Sequence, residues 1–157
     1  MTPLPLTRAQ GRVLSKIAEG SNTDETADEL AIVPGTVSVQ LISISRKLGV
    51  SGRAALVHAA YLTEQLSRPE HEAFDGEFTD TEIQTWRLVA SGASAQLVAD
   101  VCRISRDTAR DRIRILRRRV DAANDPHLVT LGWRYGVVDD SLVDMASGVL
   151  IAVPVRG

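Results

Sequence analysis

Residues 20–49 read GSNTDETADELAIVPGTVSVQLISISRKLG, and residues 92–121 read GASAQLVADVCRISRDTARDRIRILRRRVD. Set 72 residues apart, the two stretches run in register without a gap. Gly20 falls on Gly92, Ala27 on Ala99, Ile32 on Ile104, Thr36 on Thr108 and Arg46 on Arg118. The register extends outward: Leu6-Thr7 falls on Phe78-Thr79, Leu56-Val57 on Leu128-Val129, and Tyr61 on Trp133. Identities are sparse, but apolar positions coincide throughout, the mark of an internal repeat. The chain divides accordingly into a first unit, 1–66, and a second, 78–138, with a linker at 67–77 and a tail at 139–157.

Each unit carries four helix signals. Thr7 with Gln10 and Thr79 with Glu82 have the spacing of a capping box, in which the threonine oxygen accepts a backbone N–H and the third residue on reaches back. Val13, Leu14, Ile17 and Ala18 then share one helical face, as do Ile83, Trp86, Val89 and Ala90. Gly20 and Gly92 sit where a left-handed residue ends this helix. Short helices near 23–31 and 95–103 follow, with Asn22 and Ser94 as caps. Third helices near 35–48 and 107–121 come after a tight turn, one opened by Pro34 and the other capped by Ser105. Fourth helices are expected near 53–65 and 125–136. A short helix, a tight turn and a longer polar helix make a helix-turn-helix, whose second helix lies in the DNA major groove. The expected fold is therefore all-α: two tandem four-helix helix-turn-helix units with a short extended C-terminal tail.

The composition fits. Of 157 residues, 44% are hydrophobic and only 4% aromatic, so the core must be aliphatic. No apolar run is long enough to span a membrane, and MTPLPLTRAQ lacks the basic and apolar regions of a signal peptide. Cys102, the single cysteine, cannot form an internal disulfide, which fits a reducing, cytoplasmic, nucleoid-associated setting. The net charge of −2 hides an uneven distribution. Residues 78–138 hold 10 arginines against 7 acidic residues, while the linker holds Glu70, Glu72, Asp75 and Glu77 against one arginine.

In the first unit Leu6-Thr7, Val13-Leu14, Gly20, Glu25, Ala27, Leu30, Ile32, Thr36-Val37, Ile44, Lys47-Leu48-Gly49-Val50, Arg53 and Leu56-Val57 follow one pattern. Those residues resemble the LuxR/FixJ/NarL (GerE-like) helix-turn-helix, a member of the winged-helix-like superfamily. The second unit resembles it more thinly, through Phe78-Thr79, Gly92, Ser94, Val98-Ala99, Ile104-Ser105, Thr108 and Leu128-Val129. The resemblance implies a bacterial four-helix unit that binds DNA with its third helix and often pairs through its fourth. The first unit departs from the family at Thr26, Val33, Ser38 and Gln40. The receiver or ligand-binding domain usual in the family is not expected here.

The second unit holds the chemistry for DNA. Ala109, Ile113, Leu116 and Val120 recur at 4–3–4 spacing and should face the core, leaving Arg106, Thr108, Arg110, Arg112, Arg114, Arg117 and Arg118 off the apolar stripe. Arginine bonds guanine O6 and N7 as a bidentate pair, while arginines late in the helix suit phosphate. A solvated face is the competing reading, with Asp107 and Asp111 pairing to arginines three or four residues away. The first unit offers Thr36, Ser38, Gln40, Ser43, Arg46 and Lys47. Ile42 and Ile44 are both apolar there, and one of them should fall outside the core.

The fourth helices suggest an interface of Ala54, Val57, His58, Tyr61 and Leu62 with Pro126, Val129, Thr130, Trp133 and Arg134. They either pair within one chain as a pseudo-dimer, join two chains, or only close each unit's own core. The Val- and Ile-rich tail is a second route to a homodimer. The expected partner is duplex DNA, read in sequence-specific fashion by a transcription regulator. The alternative is an interaction protein that docks on RNA polymerase, a sigma factor or another regulator, which the acidic Asp24, Glu25, Asp28 and Glu29 favour. No catalytic constellation, metal site or cofactor is expected, and Cys102 is expected in the core.

Overall fold

The structure, a computed structural model, describes residues 4–143. Among them it is all-helical: α1 (Arg8–Ala18), α2 (Thr23–Leu30), α3 (Pro34–Leu48), α4 (Arg53–Leu62), α5 (Asp80–Ala90), α6 (Ala95–Cys102), α7 (Arg106–Val120) and α8 (Asp125–Arg134). The tail beyond Val143 lies outside the described residues.

Helix starts are set by side chains. Thr7 and Thr79 both form complete capping boxes, with Gln10 and Glu82. Asn22 forms a third with Glu25, and Ser94, Ser105 and Asn124 cap α6, α7 and α8. Val33 supplies no cap, so α3 begins on Pro34, whose missing N–H costs nothing there. The fourth helices stop at Leu62 and Arg134, earlier than their apolar pattern suggests. Left-handed residues, Ala31 and Arg103, close α2 and α6.

The bounds of α1 to α4 recur in α5 to α8 at an offset of 72 residues, with helix lengths of 11, 8, 15 and 10 in each set. In α7 the buried residues are Ala109, Ile113, Leu116 and Val120. In α3 they are Val37, Leu41 and Ile44, so Ile42 is the isoleucine that points out. One hydrophobic core runs through both sets.

The two sets meet chiefly through α4 and α8. Val57, His58, Ala60, Leu128 and Val129 are all wholly buried. At roughly 1.5–3 kcal/mol per buried Val or Leu, this contact is a major source of stability. Its hydrogen bonds are mirrored at the offset of the helices. Tyr61 meets the Thr130 hydroxyl at 3.0 Å, and the Trp133 indole N–H donates to His58 Nδ1 at 3.0 Å. The helix ends are mirrored too. A Cβ on Gly20 would lie 3.3 Å from the His127 Cβ, and one on Gly92 would lie 3.0 Å from the Ala55 Cβ. Each of these contacts recurs with its partners exchanged between the two sets.

Residues 67–78 and 137–142 pack over one end of this interface. Arg68 donates to the carbonyls of Tyr61 and Leu62, lies over the Trp133 ring and pairs with Asp140 at 2.7 Å. Phe74 stacks with Phe78 and Tyr135. Val138 and Leu142 are buried, and the Leu142 carbonyl accepts a 2.6 Å bond from His58 Nε2. The linker is anchored at Arg68 and Phe74, and Leu142, near the start of the expected tail, belongs to the core.

Candidate nucleic-acid interface

The helices α2 and α3 are bent by 106° across the break at residues 31–33. That falls within the 90–120° of the helix-turn-helix. Three residues, Arg103 to Ser105, likewise separate α6 from α7.

On α7 the exposed side chains off the core stripe are mostly arginine, interrupted by Asp107, Asp111 and Ile115, the last 58% exposed. Arg106, Arg110 and Arg118 are exposed and form no ion pair with the described residues. Arg114 is exposed but pairs with Asp111 at 2.6 Å, the single realised case of pairing along this helix. Arg117 reaches Asp125 at 2.7 Å and helps fix the start of α8. Arg112 is half-buried against the Cys102 thiol. Burial pushes that thiol up from its ordinary range, against the pull of Arg112. Cys102 is half-buried, at the edge of the core and not inside it. Thr108 is exposed and takes the Ser105 hydroxyl at 2.9 Å. Arg119 turns away to Glu82 and the Glu77 carbonyl, locking α7 to the start of α5.

On α3 the equivalent face is nearly uncharged. Thr36, Ser38 and Arg46 are exposed and Gln40 is half-buried. Ser43 accepts from Gln10 at 2.8 Å, and Lys47 donates to Gln10 at 2.7 Å, so both turn toward α1. The outward face instead carries Val39, 65% exposed, and Ile42, 55% exposed. Val39 went unnoticed in the sequence, although its position three residues before Ile42 places it on the same face. Beside α3, Asp24 and Asp28 of α2 are exposed. Glu25 closes the capping box on Asn22, and Glu29 pairs with Lys16 at 3.2 Å. The matching positions of α6, Gln96, Leu97, Asp100 and Val101, hold one carboxylate.

The interface candidates on the fourth helices lie together. Tyr61, Thr130, Trp133 and His58 touch as described, and Val57 and Val129 are buried. Ala54 and Pro126 line one groove between the two sets of helices, while Tyr61, Thr130 and Arg134 line another. Leu62 is half-buried, its carbonyl held by Arg68.

Residues 4–60 match the family described as bacterial regulatory proteins, luxR family (GerE). Over these residues the chain is similar to a LuxR-type helix-turn-helix domain. The matched segment covers α1 to α3 and most of α4, including the weakly charged α3 and the acidic α2. The chain is also 39% identical over 57 residues to the transcriptional regulatory protein UhpA of Salmonella typhimurium. That match covers 36% of this chain and 29% of the relative, so the chain spans under a third of the relative's length. No solved structure matches.

Proposed function

We propose that this protein is a DNA-binding transcription regulator built of two tandem helix-turn-helix units, 1–66 and 78–138, with α7 the main DNA reader. One observation carries the reading: a LuxR-type domain is packed on four helices of the same lengths, whose third helix displays Arg106, Arg110 and Arg118 unpaired. Early arginines of such a helix face base edges, and Arg118, near its end, suits a phosphate. The mirrored α4–α8 contact supports a pseudo-dimer that offers two unlike recognition helices to one duplex, about one turn, near 34 Å, apart. Duplex DNA is the partner, and neither metal nor cofactor is needed.

The test is the salt dependence of binding to random-sequence duplex. Each neutralised phosphate contributes a log–log slope of about −0.9. Arg118→Ala should flatten that slope by about one such step for every sequence alike. No binding at about 50 mM salt, or a response indifferent to salt, overturns the proposal.

A further inference from the structure

We infer that the DNA site is asymmetric in composition: guanine under α7, A·T pairs with exposed thymine methyls under α3. The inference rests on the DNA-binding reading above and goes beyond it to the sequence each helix selects.

The argument compares positions 72 residues apart on two helices of the same length. Where α7 has Arg106, Arg110 and Arg114, α3 has Pro34, Ser38 and Ile42. Where α7 has Asp111, α3 has Val39. Both helices keep the same buried positions, with Val37, Leu41, Ile44 in α3 against Ala109, Ile113, Leu116 in α7. The difference is thus confined to the outward face.

Guanine presents two acceptors in the major groove, which a guanidinium fork meets in one plane. Arg106 and Arg110 have that fork free, whereas Asp111 holds Arg114. On α3 the one fork on the outward face is Arg46, at the position that matches Arg118 near the helix end and suits a phosphate. An apolar β-branched side chain in the groove has one complementary feature to meet, the C5-methyl of thymine. Gln40 stands half-buried beside this face and suits adenine N6 and N7, again an A·T pair.

Phosphate contacts divide in the same direction. The first helix of a helix-turn-helix crosses the DNA backbone. In the first unit that helix exposes Asp24 and Asp28, in the second only Asp100. The α7 half-site therefore anchors the protein, and the α3 half-site refines register and sequence.

The experiment is selection from a randomised duplex pool with the full chain, followed by footprinting of the selected site. The expected consensus has guanines in the strongly protected half and thymines in the weakly protected half. Arg110→Ala should lose the guanine preference, a discrimination of about tenfold or more. Ile42→Ala and Val39→Ala should each weaken the preference for thymine over uracil at one position by about fourfold, as expected for one methyl buried. Both residues are exposed, so neither change threatens the fold. A palindromic consensus, or guanine under both helices, overturns the inference and leaves the DNA-binding reading intact. So does an Ile42→Ala variant with an unchanged consensus, which would assign that face to a protein. Failure to select any duplex overturns both.

Discussion

Thr130 holds two buried groups with a single hydroxyl. It donates to the Ala18 carbonyl at 2.8 Å, so the Tyr61 hydroxyl must be the donor in their 3.0 Å contact. Thr130→Val keeps the shape and removes that hydroxyl. Ala18 C=O and Tyr61 O–H are then both orphaned in an interface where Tyr61 is 5% and Thr130 7% exposed. Each orphaned buried group costs about 1–3 kcal/mol, so the expected loss is about 3 kcal/mol. Tyr61→Phe removes only one donor and leaves Thr130 bonded to Ala18, for a loss of about 1 kcal/mol. In the Thr130→Val background the same change deletes a stranded hydroxyl and should be neutral or stabilising by about 1 kcal/mol. The double-mutant cycle should therefore be non-additive by about 1–2 kcal/mol. Urea unfolding of the full chain, followed by circular dichroism and indole fluorescence, reads all four corners. Additivity within about 0.5 kcal/mol would refute the assigned bond directions and the mirrored interface as an energetic unit.

Three further perturbations probe the same scaffold. His58 and His127 are both held below the ordinary imidazole value of 6.5, first by burial and then by Arg87 and Arg134 respectively, which outweigh the Leu142 carbonyl, Asp139 and Asp140 at His58 and Asp121 and Glu19 at His127. The unfolded chain then binds protons that the folded chain refuses, so stability is full above pH 6.5 and falls as the pH drops below it. His58→Gln should shallow that decline, and a urea midpoint that holds or rises on acidification would exclude this account. Gly132→Ala would place a Cβ 2.6 Å from Val138 and 2.7 Å from the Trp86 indole nitrogen, which donates to the Leu128 carbonyl. Overpacking of about 1–3 kcal/mol should outweigh a helix-propensity gain of about 1 kcal/mol, and thermal melts showing a stabilised variant would contradict it. Thr26 is wholly buried and its hydroxyl has no hydrogen-bond partner among the described residues. Thr26→Val should therefore stabilise by about 1 kcal/mol or more, and a lower urea midpoint would count against the stranded hydroxyl.

Local features of this chain were legible in its sequence and distant ones were not. Caps at Thr7, Asn22, Thr79, Ser94 and Ser105 act over three residues, and the core stripe of α7 is a matter of periodicity. Both fall within reach of a linear reading. Composition marks 67–77 as a linker but does not show what holds it, because Arg68 and Phe74 find their partners, Trp133 and Tyr135, some 60 residues away. The same holds for Arg117, which composition alone places on a basic face but which Asp125 holds. Arg106 and Arg110 lie where periodicity puts them, because no acidic side chain from another helix reaches them. The outward apolar pair Val39 and Ile42 was only half visible, since alternate apolar residues crowd α3 and blur its stripe.

Mirrored contacts inside one polypeptide have a consequence for dosage. Two separate chains that meet through such a surface exist as a pair only above their dissociation constant. Here a tether fixes the local concentration at the millimolar scale typical of short connections. Pairing becomes part of folding, and its extent is the same whether the cell holds ten copies or thousands. Covalent linkage also lifts the rule that a substitution must appear on both sides at once. Each third helix is then free to drift alone, and α3 and α7 are alike in length and unlike in charge.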